Sequence, residues 1–154
     1  MPNCTLDVLQ RVQNASARLI CQLKVRDHIS SRLQDLHWLP VRYRVQYKLC
    51  TLMYTIHHGQ SPAYLSEQVN TVASQTLRCG LRSADTTNYS SPRLLTRFGE
   101  RAFSHAGPAA WDSLPHELRA APTLNCFKSR LKSHFFKIAF NLYRLNVVLV
   151  LLTM

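Results

Sequence analysis

Leu36-His37-Trp38-Leu39-Pro40-Val41 is the stretch that decides how this chain is read. It sets a Trp, two Leu and a Pro in one short corner. A residue that precedes proline is pushed out of the α region, so a helix arriving from the N-terminal side must stop before Pro40. Proline lacks an N–H, which suits it to the first position of the next helix. The corner is therefore the hinge of a small helical core.

Beyond the hinge the pattern is sharp. At ~100° per residue, Val41, Val45, Leu49, Leu52 and Ile56 fall on one narrow face. Tyr43, Tyr47, Cys50 and Tyr54 form a second ridge opposite, with Arg44, Lys48, Thr51 and Thr55 as a polar strip between. Two non-polar ridges place this helix between two neighbours. Gly59 ends it as the residue after the C-cap. Before the hinge, Ser30 or Ser31 caps a short helix carrying Leu33 and Leu36. Further upstream a helix is expected over residues 6–23. Thr5 is its cap, Leu9, Val12, Ser16, Leu19 and Leu23 its inward stripe, and Arg11 and Arg18 flank the stripe.

Downstream, Ser61-Pro62 restarts a short helix to about Val69, with Tyr64 and Leu65 facing inward. Residues 70–91 are rich in Ser, Thr and Asn and poor in large aliphatics, which reads as a surface loop or linker. Residues 92–98 suit a short strand with Gly99 in a turn. Residues 100–103 either pair back as a hairpin or begin a helix. Gly107-Pro108-Ala109-Ala110-Trp111 reads as a helical turn presenting Trp111, broken at Leu114-Pro115. Thr123 caps a last helix to about Phe140, with Leu124, Phe127, Leu131, Phe135 and Ile138 on one face.

These elements make the chain mainly α: a small helical domain with at most one short β-hairpin. Residues 1–69 form its N-terminal helical part, 70–91 a flexible linker, 92–140 the hairpin and last helix, and 141–154 an apolar appended tail. The apolar run at 147–152 is interrupted upstream by Asn141, Arg144 and Asn146. That leaves it short of the ~20 residues a membrane span needs, and weak membrane attachment through the tail is the lesser alternative.

Charge is the most informative bulk property. Lys and Arg number 19 against 8 Asp and Glu, for a net +11, in a chain of 154 residues. Such an excess suits a polyanionic partner, either nucleic acid (RNA or DNA) or an anionic membrane surface, as well as it suits a plain basic surface. The five cysteines are widely spread with no C-x-x-C pair, which argues against a zinc knuckle and for a reducing, intracellular setting, nuclear or cytoplasmic. No apolar leader follows Met1.

Enzymatic chemistry finds little support. Ser104, His105 and Asp112 are triad residue types, but there is no nucleophile elbow, and adjacent Ser and His side chains point apart. His57 and His58 are adjacent and do not share a helical face, so they make a poor metal pair. Glycine-rich phosphate loops are absent, which leaves no cofactor motif. The eight carboxylates are scattered singly, whereas two-metal chemistry needs them clustered.

Cationic residues beside aromatics form the remaining pattern. Arg42, Arg44 and Lys48 lie near the tyrosines of the third helix. Arg93, Arg97 and Arg101 recur every four residues beside Phe98 and Phe103. Lys128 and Lys132 border the apolar face of the last helix. Arg and Lys next to aromatics suit phosphate contact with base stacking. The competing reading is equally concrete: the aromatics are core, and the cations are the wet side of each helix.

A set of short segments carries a resemblance. They are Leu9-Gln10-Arg11-Val12-Gln13-Asn14-Ala15, Arg26-Asp27-His28-Ile29, the hinge itself, Ser61-Pro62-Ala63-Tyr64-Leu65, Leu81-Arg82-Ser83, Arg101-Ala102-Phe103, Pro108-Ala109-Ala110-Trp111-Asp112-Ser113-Leu114-Pro115 and Phe127-Lys128-Ser129-Arg130-Leu131-Lys132. In this order and spacing the chain resembles the C-terminal region of vertebrate LINE-type, non-LTR retrotransposon polyproteins, downstream of the reverse-transcriptase domain. The resemblance covers about residues 6–140. It implies a reading frame truncated at its start, lacking the polymerase and endonuclease, with no catalytic residue carried over. It also implies a non-catalytic accessory region that holds RNA or DNA. An orphan helical protein-interaction domain is the alternative.

Overall fold

The computed structural model describes residues 3–24, 26–71, 89–90, 94–96 and 98–141. Seven α-helices follow one another among them: α1 (Asn3–Ile20), α2 (Ser30–Asp35), α3 (Val41–His57), α4 (Ala63–Ser66), α5 (Phe103–Asp112), α6 (His116–Arg119) and α7 (Leu124–Ala139). The protein is mainly α, as expected. Contacts divide the chain into two compact units, Met1–Tyr47 with Ser129–Met154 and Lys48–Lys128.

No strand occurs among the described residues, and the single β feature is an isolated antiparallel bridge between Thr71 and Tyr89. The hairpin expectation is therefore corrected. Gly99–Arg101 forms one turn of 3-10 helix, and α5 starts at Phe103, so residues 100–103 take the helical alternative. The remainder of the expected strand at 92–98, apart from residues 94–96 and 98, lies outside the described residues, as do 72–88 and the tail from 142 on.

Helix ends follow backbone rules closely. Gly59 has φ +64, and Gln60 N–H bonds Thr55 C=O while Gly59 N–H bonds Ile56 C=O, the Schellman closure expected there. The same double closure ends α1 at Gln22 (φ 52) and α2 at His37 (φ 54), both without glycine. The first of these corrects the expected C-terminal end of α1. The chain turns left-handed at Gln22, so Leu23 lies beyond the helix. Its other end starts at Asn3, which puts Thr5 inside α1 and not at its cap. Thr123 does cap α7, its Oγ1 accepting from Cys126 N–H at 3.3 Å. Ser30 is the first residue of α2 and not its cap, since the residue before it, Ile29, is itself helical and gives no side-chain bond. Pro40 caps α3 through its carbonyl, which accepts from Arg44 N–H, so the helix proper begins at Val41.

In the first unit the largest departure concerns α1. Its aliphatic stripe faces outward: Val8, Leu9, Val12, Leu19 and Ile20 are all exposed, Leu19 to 82%. Gln13 and Ala17 are buried instead. The hinge explains the inversion. Val41 N–H heads α3 and has no partner within that helix, and Leu39 C=O is buried just before a proline. Gln10 Oε1 accepts from Val41 N–H at 2.9 Å, and Gln13 Nε2 donates to Leu39 C=O at 2.9 Å. Gln10 Nε2 in turn donates to Gln13 Oε1 and Asn14 Oδ1. Each of these backbone groups would cost about 1–3 kcal/mol if buried without a partner, and the polar side of α1 that bonds them faces the hinge. Leu33, Leu39, Leu131 and Phe135 complete the core here, with the Tyr43 ring 6.0 Å from Phe135.

The second unit is built around Tyr54. Its ring stacks on Phe127 at 4.4 Å and on His58 at 3.9 Å, Trp111 lies edge-on at 6.4 Å, and its hydroxyl donates to Ala121 C=O at 2.8 Å. Of the tyrosine-and-cysteine ridge of α3, Cys50 and Tyr54 are buried, joined by Met53 and by Thr51, which leaves the expected polar strip. Val45, Leu49, Leu52 and Ile56 on the other ridge are half-buried. Trp111 is not presented to solvent; it is buried, within a helix that begins well before Gly107 and carries Pro108 in its interior. Gly107 admits that packing, because a Cβ there would meet Met53 Sδ at 2.9 Å. Tyr64 points outward, 67% exposed, and not into the core.

Candidate nucleic-acid interface

Each cationic candidate takes its place from its helix. On α3, Arg44 and Lys48 stand one turn apart on one side, both exposed, whereas Arg42 projects from nearly the opposite side, also exposed. On α7, Lys128 is half-buried and Lys132, one turn on, is exposed; both border the buried row of Phe127, Leu131 and Phe135. Arg101 is exposed at the end of the 3-10 turn. Arg93 and Arg97 lie outside the described residues. Ion pairs among the described residues join Arg32 to Asp35 at 3.2 Å and Arg119 to Asp112 at 3.9 Å, and none of the six described candidates takes part in either.

The aromatic half of the expected pattern divides. The tyrosines of α3 serve packing: Tyr54 is buried, and Tyr43 and Tyr47 are half-buried. Phe98 behaves otherwise. It is 80% exposed and accepts, through its carbonyl, the N–H of Arg101 at 3.1 Å. Phe98 and Arg101 are thus an exposed ring and an exposed guanidinium three residues apart, the two side-chain types that base stacking and phosphate contact use.

A second polar cluster was not legible in the sequence. Tyr89, from the stretch read as linker, is buried, and its hydroxyl lies 3.2 Å from His57 Nδ1. Burial, then His58 and Arg119, holds His57 below its ordinary pKa. Burial, then Asp112, raises the Tyr89 phenol. Burial raises the Asp112 carboxyl against the pull of Arg119 and of the Tyr89 N–H. Asp112 thus faces Arg119 and Tyr89, and His58 Nδ1 is engaged with Tyr54 C=O at 2.9 Å. Among the described residues no three His, Cys, Asp or Glu side chains come together as a metal site. Only a tyrosine standing alone in a polar stretch marked this cluster in the sequence.

Among the described residues no helix is long and apolar enough to cross a membrane. Compared with models of known families, with curated proteins and with solved structures, the chain matches none.

Proposed function

We propose that the chain is a non-catalytic, basic nucleic-acid-binding module, derived from the region that follows the reverse transcriptase in a LINE-type retrotransposon polyprotein. The observation that carries the binding role is the set of cations left without ion-pair partners among the described residues: Arg44 and Lys48 one turn apart on α3, Lys128 and Lys132 one turn apart on α7, and Arg101 beside the exposed Phe98. The net +11 supplies the long-range attraction to a phosphate backbone. The derivation rests on the ordered segments from Leu9 to Lys132.

Phosphate contacts hold the strand without reading its sequence, and Phe98 adds a stacking surface that any base can use. Single-stranded RNA or DNA is therefore the preferred partner over a duplex, whose bases are already stacked. The test is fluorescence anisotropy of the full chain with a labelled single-stranded RNA and with a duplex of the same length. Phe98→Ala is expected to weaken single-strand binding by about 1–3 kcal/mol and to leave duplex binding unchanged. Equal effects on both, or none on either, would refute the stacking role.

A further inference from the structure

Leu95 has no use in the functions described above. Its side chain is 104% exposed, more than any other large apolar residue described, and it stands just before the turn that carries Phe98. Thr96 closes that turn. Its Oγ1 accepts from Gly99 N–H at 3.1 Å, and its carbonyl accepts from Glu100 N–H at 3.3 Å. Two further bonds continue it, Arg101 N–H to Phe98 C=O at 3.1 Å and Ala102 N–H to Gly99 C=O at 2.8 Å. Leu94 packs onto the turn, since a Cβ on Gly99 would meet its Cδ1 at 3.3 Å. Leu95, next to it, is left in solvent. Within seven residues the chain therefore holds an aliphatic side chain, an aromatic ring and a cation, all exposed, on a backbone closed by hydrogen bonds.

We propose that this turn recognises the junction between a single strand and a duplex, a proposal that rests on the nucleic-acid reading above. Stacking on a single strand uses aromatic rings and guanidinium planes. Leucine has no π face and adds little there. Aliphatic side chains meet nucleic acids instead as wedges against the faces of base pairs. Insertion between two stacked pairs must first separate them, at a cost that burying one leucine does not exceed. The last pair of a duplex already turns one face to water, so Leu95 can cover that face with no pair unstacked. The unpaired base that follows is the partner for Phe98, and its phosphate the partner for Arg101. A blunt end offers only the first contact and a free strand only the others; a junction offers all three. A bilayer suits the turn less well. Leu95 and Phe98 bury less apolar surface than one fatty-acyl chain, which alone holds a protein to a membrane only marginally.

The experiment is fluorescence anisotropy of the full chain with three labelled RNAs: a duplex with a single-stranded overhang, the overhang sequence alone, and the blunt duplex. The overhang duplex is expected to bind more tightly than either of the others. Charge alone could favour it over the single strand, so Leu95→Ser, which changes no charge, separates the two effects. That variant alters an exposed residue and leaves the fold intact, which thermal melting checks. It is expected to lower affinity for the overhang duplex about fivefold, the return from partly burying one leucine, and to leave affinity for the single strand unchanged. Absence of single-strand binding by the parent chain would overturn the nucleic-acid reading and this inference with it. Single-strand binding with no preference for the overhang duplex, or a preference that Leu95→Ser leaves intact, would overturn the inference alone. So would phosphatidylserine vesicles that bind the parent chain, displace the overhang duplex and fail to bind the Leu95→Ser variant; that result assigns the turn to lipid.

Discussion

Gln13 donates from Nε2 to the carbonyl oxygen of Leu39 at 2.9 Å, with both residues buried. This bond spans 26 positions of sequence and fixes which way the first helix faces. Its partner bond from Val41 N–H to Gln10 Oε1 caps α3 from outside that helix. Gln13→Leu leaves the Leu39 carbonyl unbonded and is expected to cost about 1–3 kcal/mol. Val12→Gln, on the outward side, is expected to stay within about 0.5 kcal/mol of the parent. Urea unfolding of the two variants checks the order. Amphipathicity alone would assign the larger loss to Val12→Gln.

Left-handed helix ends supply a second prediction. Gln22 adopts φ 52 with nothing but the Schellman closure to recommend it there. Gln22→Gly removes the Cβ conflict and is expected to raise stability by about 0.5–1 kcal/mol, read as a higher denaturant midpoint at unchanged slope. His37 has the same conformation, but its ring stacks on Phe136 at 5.7 Å and its Nδ1 meets Asp35 C=O. His37→Gly should gain less than Gln22→Gly, or lose.

Much of this architecture was legible in the sequence for reasons these residues make plain. Thr123 and Gly59 are local signals whose effect depends on their own backbone, and both acted as read. The α3 ridges were visible because 17 residues of regular spacing leave little freedom. The facing of α1 was not visible, since it depends on two backbone groups of the hinge that gain their partners only after folding. Tyr89 was misplaced for a related reason. A polar stretch is a local signal for a loop, and tertiary packing overrode it. For the site, Arg44, Lys48, Lys128 and Lys132 stand on the helices expected of them. What the sequence did not separate was Phe98, left in solvent, from the tyrosines of α3, taken into the core.

Acid should destabilise the fold in a defined window. Burial, then His58 and Arg119, lowers the His57 pKa; burial, then Lys137, lowers that of His134. A histidine whose folded pKa is depressed takes its proton first in the unfolded chain. Its full contribution to stability is therefore present above the unfolded value near 6.5 and is lost as pH falls through it toward the folded value. Melting temperature is expected to drop between about pH 7 and pH 5. His57→Gln with His134→Gln should flatten that slope; an unchanged slope would show that other groups set it.

Thiol chemistry separates the cysteines. Cys50 is fully buried, its Sγ faces Ala110 C=O at 3.7 Å, and burial pushes its thiol up to about 12. Only the thiolate reacts, so Cys50 should resist a thiol reagent until the protein unfolds, while exposed Cys4 reacts at once. Mass spectrometry of the labelled chain, with and without urea, distinguishes them.

The salt dependence of nucleic-acid binding tests the central claim most directly. The slope of log K against log salt counts the phosphates neutralised. For the full chain on single-stranded RNA it is expected to be steep. Changing Arg44, Lys48, Lys128 and Lys132 together to Ala should make it shallower by up to about 3, roughly 0.7 for each cation removed from a single strand. A folded protein whose binding is undetectable or independent of salt, or whose slope survives the four changes, would contradict the assignment of these helices as a phosphate-contacting surface.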